Sequence, residues 1–520
     1  MAWRYSTIPT YWIKDFSGGL NNRFRSNRIA DNESPALRNA RFSRFGALSK
    51  RLGTARKVVN VTDMGALASL FSYRLQSMSN EQILISDGDV YARATAIGTY
   101  TSVVTGMTAT FAPEFLSFNG LIYITNGRDT VRTLNGSNTA STDANFPISK
   151  FAVIHKGRIF TANQDSDSNP SRLQWSDVGS STWTSTNFED ISPDDGGGIT
   201  GIISFGDELI VFKGPNVINS ITSNTNYSNS RIFRVLGDIF SASNPSYFID
   251  SIPLPPGVGL LGHRSIQIYN GILIFATNDG FYAYLGGGKQ PIPISESIRG
   301  EINNWELGDI QAYTRKPAAI VWKNKYYCSL YNDGDSADLF SNRIYVYEDG
   351  KWWVDIISAT SDDFTTDTST GTSWCIFNNT LYSGSSFSNI LREWDTASAF
   401  SDTTDANSAA SVNMSYATKE FDFEEEQNFE YCFVHLRRQS SGTLTFEFNI
   451  DQRGAVSTSV DMTTPDTGDT ANTSSNILRK RVNIDRQGRS AQFRFYDSGA
   501  NDAEIYAIEL KHDRKNYQYQ

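Results

Sequence analysis

The sequence predicts an all-β protein: a β-propeller of about seven blade-like units, with an extended N-terminal arm and a C-terminal β-sandwich. Three observations lead to this prediction. Aromatic residues make up 13% of the 520 residues and charged residues only 20%, a balance that favours half-buried sheet faces over long surface helices. One hairpin signature recurs along the middle of the chain, and a different strand pattern follows it.

The recurring unit is an apolar run, a short turn of Asn, Gly, Asp or Lys, and a second apolar run. In FLSFNGLIYITNG the turn is Asn119-Gly120, which favours a two-residue hairpin. Equivalent turns fall near residues 80, 119, 157, 206, 270, 324 and 378. Because a blade occupies roughly 40–50 residues, the pattern predicts a propeller over residues 61–395, with six or eight blades still open. Strand patterns alone also leave a large irregular β-sandwich open.

The pattern changes after a small, polar segment at 396–411, which predicts a linker. In TLTFEFNI (443–450) every second residue is apolar, as in a strand with one buried face. Several such strands within residues 412–520 predict a compact β-sandwich. Within the propeller region, SESIRGEINNWEL (295–307) has apolar residues at helical spacing, which predicts one short helix packed on a blade.

Charge is unevenly distributed along the chain. Residues 1–60 contain twelve Lys or Arg and three acidic residues, a net charge of +9, whereas the whole chain carries −10 and the remainder therefore −19. A basic arm on an acidic body predicts docking onto an acidic neighbour, including the next copy of the same protein. A flexible basic tail is the alternative. The arm residues predicted to dock a partner protein are Arg23, Arg25, Arg28, Arg38 and Arg44.

The residues that most often carry chemistry form no recognisable pattern. Cys328, Cys375 and Cys432 lie far apart without metal or disulfide spacing, and the spacing of the four histidines fits no zinc signature. QDSDSNP (164–170) begins like a calcium loop but lacks its glycine and distal glutamate. We therefore expect free buried thiols, no metal, no cofactor and no catalytic residues, that is, a protein that is not an enzyme.

The N-terminal segment predicts no signal peptide. MAWRYSTIPTYWIKDF does not have the charged-then-apolar arrangement of a signal peptide. Apolar runs are also shorter than the ~18 residues that a membrane span requires. We expect no membrane insertion.

One segment resembles a known family. WIKDFSGGLNNRFRSNRIADNESPALRNARFSRFGALSKRLG (12–53) resembles the opening of a family of tailed-bacteriophage virion proteins, through DFSGGLN (15–21), IADNESPALRN (29–39) and GALSKRLG (46–53). The hairpin WSDVGSSTW and the strand RQGRSAQFRFYDSG (486–499) also resemble parts of such proteins. The chain is similar to the tail nozzle, or hub, proteins of short-tailed phages.

The resemblance implies a structural component of the virion tail, assembled in the host cytoplasm. Such proteins form a homo-oligomeric ring, usually six-fold, that extends the DNA-exit channel below the portal and adaptor. The partners implied are further copies of the chain, the adaptor and other tail proteins, while DNA passes through without specific binding. An acidic body is compatible with rapid release of DNA, since both are negatively charged.

Two other functions stay open from the sequence. The propeller face or the C-terminal sandwich could bind or cleave host glycans, because exposed aromatics such as Trp352 and Trp353 could stack on sugars. LQWSDVGSSTW (173–183) imperfectly resembles the Asp-box of sialidase-type propellers, which indicates a propeller turn more than a glycosidase. The chain could also be a cellular propeller that serves only as an interaction scaffold. Oligomeric state separates the ring protein from both alternatives.

Overall fold

The structure is a computed structural model that describes residues 9–42, 46–60, 69–95, 98–109, 111–164, 169–215, 226–239, 246–305, 317–331, 342–357, 373–384, 390–395, 400–403, 409–466 and 476–514. These residues are almost entirely β-structured. The helical turns among them are three short 3₁₀ segments and one α-helical turn: Pro193–Asp195, His263–Ser265, Glu296–Ile298 and α1 (Arg299–Ile302).

Five strands precede the first predicted blade. They are β1 (Thr10–Ile13), β2 (Leu37–Arg38), β3 (Ala40–Phe42), β4 (Leu48–Lys50) and β5 (Thr54–Asn60). The first four join the C-terminal sheet described below, whereas β5 belongs to the propeller.

Three four-stranded sheets follow, here called blades 1 to 3. Blade 1 contains β6 (Ser69–Tyr73), β7 (Gln82–Ser86), β8 (Val90–Arg93) and, after the short β9 (Gly98–Thr99), β10 (Thr101–Val104). Blade 2 contains β11 (Glu114–Phe118), β12 (Leu121–Thr125), β13 (Arg132–Leu134) and β14 (Ala140–Thr142). Blade 3 contains β15 (Ser149–His155), β16 (Arg158–Gln164), β17 (Asn169–Trp175) and β18 (Phe188–Asp190).

Blades 4 to 7 continue the same order. Blade 4 contains β19 (Gly197–Phe205), β20 (Glu208–Pro215), β21 (Arg231–Ile239) and β22 (Ser246–Pro253). Blade 5 contains β23 (Gln267–Tyr269), β24 (Ile272–Thr277), β25 (Gly280–Tyr284) and β26 (Ile292–Pro293). Blade 6 contains β27 (Ala318–Trp322), β28 (Lys325–Tyr331), β29 (Asn342–Glu348) and β30 (Lys351–Ile356). Blade 7 contains β31 (Ser373–Phe377), β32 (Thr380–Gly384), β33 (Ile390–Trp394) and β5.

The predicted propeller is confirmed, with seven blades among the described residues. Each predicted turn lies between the first and second strands of one blade. At Asn119-Gly120 both φ angles are positive, 48° and 77°, which is the geometry of a two-residue type I′ hairpin and the reason why Asn and Gly occur there. First strands of neighbouring blades contact one another from blade 1 to blade 4 and from blade 5 through blade 7 back to blade 1, while between blades 4 and 5 the first strand β19 contacts the 3₁₀ turn His263–Ser265 that precedes β23.

The ring is closed by a strand from the N-terminal region. β5 pairs antiparallel with β33, from Trp394 opposite Thr54 to Ile390 opposite Val58, and so forms the fourth, outer strand of blade 7, to whose far end the short β9 adds in parallel. The last blade is therefore built from two chain segments that are distant in sequence. Opening the ring requires breaking this ladder, so the closing strand holds blade 7 to the N-terminal region.

Second strands of the blades are the most completely buried. β24 (ILIFAT) and β12 (LIYIT) are buried along nearly their whole length, because each lies between two strands of its own sheet and between two neighbouring blades. Aromatic contacts join the blades: Phe212 of blade 4 packs on Phe275 of blade 5 at a centroid distance of 4.9 Å. This packing explains why the runs after the turns are continuous rather than alternating apolar sequences.

The C-terminal region forms the predicted β-sandwich. After the two-stranded sheet of β34 (Ser401–Thr403) and β35 (Ala409–Ser411), the strands are β36 (Met414–Ala417), β37 (Phe421–Arg437), β38 (Thr443–Ile450), β39 (Val456–Asp461), β40 (Ile477–Asp497) and β41 (Ile505–Arg514). The order of the main sheet is β2-β36-β40-β37-β41-β4-β3, with β1 on β41 and β38 between β40 and β39. Segments predicted as separate strands are fused into β37 and β40, whose pairing shifts register twice.

Two smaller predictions are confirmed. The helix predicted at 295–307 is a single turn, and Ile298, Ile302 and Trp305 are buried beneath blade 5 and blade 6. All three cysteines are free and buried. None of the helices in the described part of the chain is long and apolar enough to cross a membrane.

Candidate functional site

The segment that resembles phage tail proteins forms a joint between the propeller and the sandwich. β1 pairs with β41 of the sandwich, and the backbone N–H of Leu20 then donates to the Trp352 carbonyl oxygen of blade 6 at 2.8 Å. The Ser34 hydroxyl donates to the Ala417 carbonyl oxygen of the sandwich at 2.7 Å. Gly19 has φ 76°, and a Cβ there would lie 2.8 Å from the Trp352 carbonyl oxygen, so the glycines of DFSGGL permit this close approach.

Buried ion pairs link chain segments at the joint. The Arg51 guanidinium donates two hydrogen bonds to the Asp402 carboxylate, at 3.0 and 2.6 Å, and both side chains are almost fully buried. Lys50 lies 2.9 Å from Asp497 with neither side chain exposed. Burial lowers the pKa of Lys50 and raises the pKa of Asp497, so for this pair the cost of desolvation exceeds the attraction. These cations of the predicted arm thus have partners within the chain.

The predicted docking arginines have different surroundings. Arg23 lies 3.3 Å from Glu296 and also packs on Phe24, which is 51% exposed. Arg25 and Arg28 are exposed in the same loop. Arg38 is half-buried in β2, and Arg44 lies outside the described residues. We call residues 23–28 the arm loop. The docking role of these arginines stays a prediction.

A side chain crosses the axis of the propeller. Arg264 lies in the connection between blades 4 and 5, yet its guanidinium bonds to Glu114 at 2.9 Å and to the Ser69 hydroxyl at 2.6 Å, on the first strands of blades 2 and 1. Those blades lie across the ring from blades 4 and 5. The next residue back, His263, packs on Phe151 at a centroid distance of 4.6 Å. The axis is therefore filled by protein in this region.

The filled axis can be compared with what a glycan-cleaving propeller would require. A glycosidase requires two carboxyl groups held at a set separation, and the axis of a propeller would be a natural place for them. Glu114 at the axis is engaged by Arg264 in an ion pair. Among the described residues no group of three or more His, Cys, Asp or Glu side chains is placed to hold a metal ion. The QDSDSNP motif lies mostly outside those residues.

The hairpin that resembles an Asp-box is a packed turn. Asp177 accepts hydrogen bonds from the side chains of Asn187 and Thr184, and the Asn119 amide of blade 2 donates to the Gly179 carbonyl oxygen at 2.7 Å. Trp183 packs on Phe146 with 4.9 Å between ring centroids. The motif thus fixes the contact between blades 2 and 3.

An open cleft lies between the arm and the sandwich. It has a volume of about 340 Å³, and its lining includes Tyr11, Trp12, Asp15, Asp31 and Asn32. Burial alone would raise the pKa of Asp15, but hydrogen bonds from Ser17 and Asn32 lower it overall. Aromatic rings beside carboxylate and amide groups can bind a sugar or a cationic side chain. The sequence analysis missed this cleft, because its residues come from separate parts of the chain.

A second feature that the sequence did not indicate is an acidic cluster at the end of β40. Burial, followed by repulsion from Glu504, raises the pKa of Asp502 to about 6, although Arg437 lies 3.5 Å away. The folded protein therefore binds the Asp502 proton more tightly than the unfolded chain. This contribution to stability is fully present below the unfolded value near 4 and is lost as the pH rises through 6.

Replacing Asp502 by Asn is expected to remove this pH dependence. The pKa difference corresponds to about 3 kcal/mol at most, which solvent screening reduces to about 1–2 kcal/mol. D502N should then raise the free energy of unfolding above pH 6 and leave it nearly unchanged near pH 4, as measured by urea unfolding across this range. D207N, at an exposed turn, is the matched control. Equal stabilisation by D502N near pH 4 and above pH 6 would contradict the raised pKa of Asp502.

Comparisons with solved structures find matches of low similarity to this chain. No protein-family profile and no curated protein matches the chain. Solved structures that it resembles include BamB from Moraxella catarrhalis, 12% identical over 67% of this chain and 98% of that one, with a TM-score of 0.35. Others are the computationally designed Ika8 protein (11%, 65% and 99%, TM-score 0.35) and an exo-β-1,3-galactanase from Phanerochaete chrysosporium (8%, 88% and 100%, TM-score 0.26).

Proposed function

We propose that this chain is a non-enzymatic structural subunit of a phage tail, which assembles into a homo-oligomeric nozzle ring, six-fold by resemblance, around the DNA-exit channel. Its partners would be further copies of itself, the adaptor and other tail proteins, and its location the virion. The observation that carries the proposal is that the segment resembling tail proteins, residues 12–53, is built into the joint between propeller and sandwich.

The joint supports a ring role for a physical reason. In a closed ring each subunit meets its two neighbours through two different surfaces, and the angle between these surfaces sets the number of copies. A hinge between propeller and sandwich would leave that angle undefined. The backbone contacts of Leu20 and Ser34 and the buried pair of Arg51 and Asp402 hold the two parts together, as a subunit of fixed geometry requires.

The distribution of charge supports a contact between unlike surfaces. Once Lys50 and Arg51 are engaged inside the joint, the arm loop still presents Arg25, Arg28 and the exposed Phe24. The chain beyond residue 60 carries −19. A basic loop on one copy and an acidic surface on the next would attract one another without pairing like surfaces.

The filled axis determines where DNA would pass. Because Arg264 spans the axis from blades 4 and 5 to blades 1 and 2, a duplex would not pass through one propeller. The channel would instead lie between copies, lined by their acidic surfaces. An acidic lining would avoid tight binding to phosphate groups.

The test is the mass and symmetry of the purified chain, measured by light scattering and negative-stain imaging. We expect a closed ring, and we expect R25E/R28E to weaken it because the charge of the arm loop reverses at exposed positions. The control is R74E/R128E, which makes the same charge change at exposed propeller positions and should leave the ring intact. A wild-type chain that stays monomeric at all concentrations would contradict the proposal.

Glycan binding remains the second candidate function, and the open cleft with Trp12 and Asp15 favours it. If the chain is monomeric, titration with host oligosaccharides decides this candidate. Binding that W12A abolishes would support it, and the absence of binding would remove it.

A further inference from the structure

The outer face of the sandwich presents cations stacked on aromatic rings. β1, β41, β37 and β40 lie side by side there, and their pairing places Trp12 opposite Glu509, Glu509 opposite Phe433, and Phe433 opposite Arg481. The alternate residues of β37, such as Cys432 and Val434, are buried on the inner side. We call the set Trp12, Tyr431, Phe433, Arg479, Arg481 and Glu509 the cation–aromatic face.

Two rings of this face, those of Phe433 and Tyr431, are covered by cations. The Arg479 guanidinium lies 3.4 Å from the Phe433 ring centroid, and Arg481 lies 4.0 Å from that of Tyr431. These ring faces are therefore occupied and cannot stack on sugars. A guanidinium that rests on a ring is held in place, which lowers the entropy lost when it pairs with a carboxylate.

The charge of the face identifies the class of partner. The Glu509 carboxylate pairs with Arg479 at 2.8 Å and with Lys511 at 2.9 Å. Arg481 is on the same strand as Arg479, with the Asp466 carboxylate accepting its backbone N–H at 2.7 Å, and Lys14 lies over the Trp12 ring. Burial lowers the pKa of nearby His435, so this ring adds no positive charge at neutral pH. The four cations outnumber the carboxylates of Glu509 and Asp466, so the face is basic, and the central carboxylate of Glu509 disfavours the regular phosphates of nucleic acid. An acidic protein surface fits it better.

A second copy of the chain offers such a surface. Residues 61–395 contain 21 Lys or Arg and 34 Asp or Glu, a net charge of −13. We propose that the cation–aromatic face docks onto the acidic propeller surface of the neighbouring copy. The inference rests on the proposed ring, and it adds a second basic contact, on the sandwich, to that of the arm loop.

The test compares two charge reversals on the same strand. Arg481→Glu changes the face, whereas Arg489→Glu changes an exposed position farther along β40. In sedimentation velocity at low salt we expect R481E to weaken association between copies at least tenfold and R489E less than twofold. Added salt should reduce the difference, because exposed charges are screened. K14E, just beyond the end of β1, provides a second reversal on the face that leaves its ladder unchanged.

The outcomes separate this inference from the proposed function. A wild-type ring that forms equally well with R481E and K14E overturns the face contact and leaves the ring proposal standing. A wild-type chain that never associates overturns both. If R481E instead abolishes binding to a duplex DNA probe while the copies still associate, the face is a nucleic-acid site and the inference is wrong.

Discussion

Deletion of residues 1–60 is expected to unfold the chain rather than merely to separate its copies. The deletion removes β5, the outer strand of blade 7, and with it the ladder that closes the propeller. It also removes Phe16, Leu20, Leu37 and Leu48, each at most 2% exposed. Exposing four such side chains costs about 6–12 kcal/mol in total, which is comparable to the about 5–15 kcal/mol that holds a folded protein together.

The measurement is thermal unfolding followed by circular dichroism, together with limited proteolysis. The truncated chain should show no cooperative transition near that of the full chain and should be cleaved rapidly. A chain lacking residues 515–520, which follow the last described strand, is the matched control and should unfold like the full chain. A truncated chain that unfolds cooperatively at an unchanged temperature would show that neither the closing strand nor the joint is needed. Assembly is therefore better tested with point variants in the arm loop.

The propeller could be predicted because its signal is local. Two-residue turns such as Asn119-Gly120 need positive φ angles, and that need is visible in the residue types. The closing strand could not be predicted, because TARKVVN resembles any short strand and its partner β33 lies at the other end of the propeller region. Pairing between distant segments leaves no mark on either sequence alone. The sequence also did not predict that β37 and β40 are single long strands, because their register shifts interrupt the alternating pattern.

The net positive charge of the arm could be read from the sequence. The sequence did not show which of its cations are buried in ion pairs and which are exposed. Lys50 and Arg51 look like Arg25 and Arg28 in the sequence, and only the fold brings Asp497 and Asp402 to the first two. The cation–aromatic face had a weak signal. In YCFVHLR, the rings of Tyr431, Phe433 and His435 alternate with the apolar side chains of Cys432, Val434 and Leu436. Because large side chains occupy both faces of this strand, the pattern indicates that its outer face also makes contacts.

Replacement of Asp402 by Ala is expected to destabilise the joint by about 3–5 kcal/mol, because it leaves the buried Arg51 charge without its carboxylate partner. The Asp402 carboxylate also accepts hydrogen bonds from the backbone and hydroxyl of Thr54 at 2.9 and 3.0 Å. Asp402 therefore links the segment before the sandwich to the start of the closing strand. Its loss should loosen blade 7 and the joint together, and urea unfolding should detect the change.

A double replacement separates the charge from the packing. R51M/D402L substitutes apolar groups for both members of the pair and should recover most of the stability, because well-packed apolar residues often equal a buried ion pair. R453A, which breaks the exposed pair of Arg453 and Asp451, is the control and should cost less than about 1 kcal/mol. If D402A costs no more than R453A, the pair does not hold the joint. If the double variant stays as unstable as D402A, the hydrogen bonds to Thr54, rather than the unpaired Arg51 charge, dominate, and Asp402 acts mainly by anchoring the closing strand.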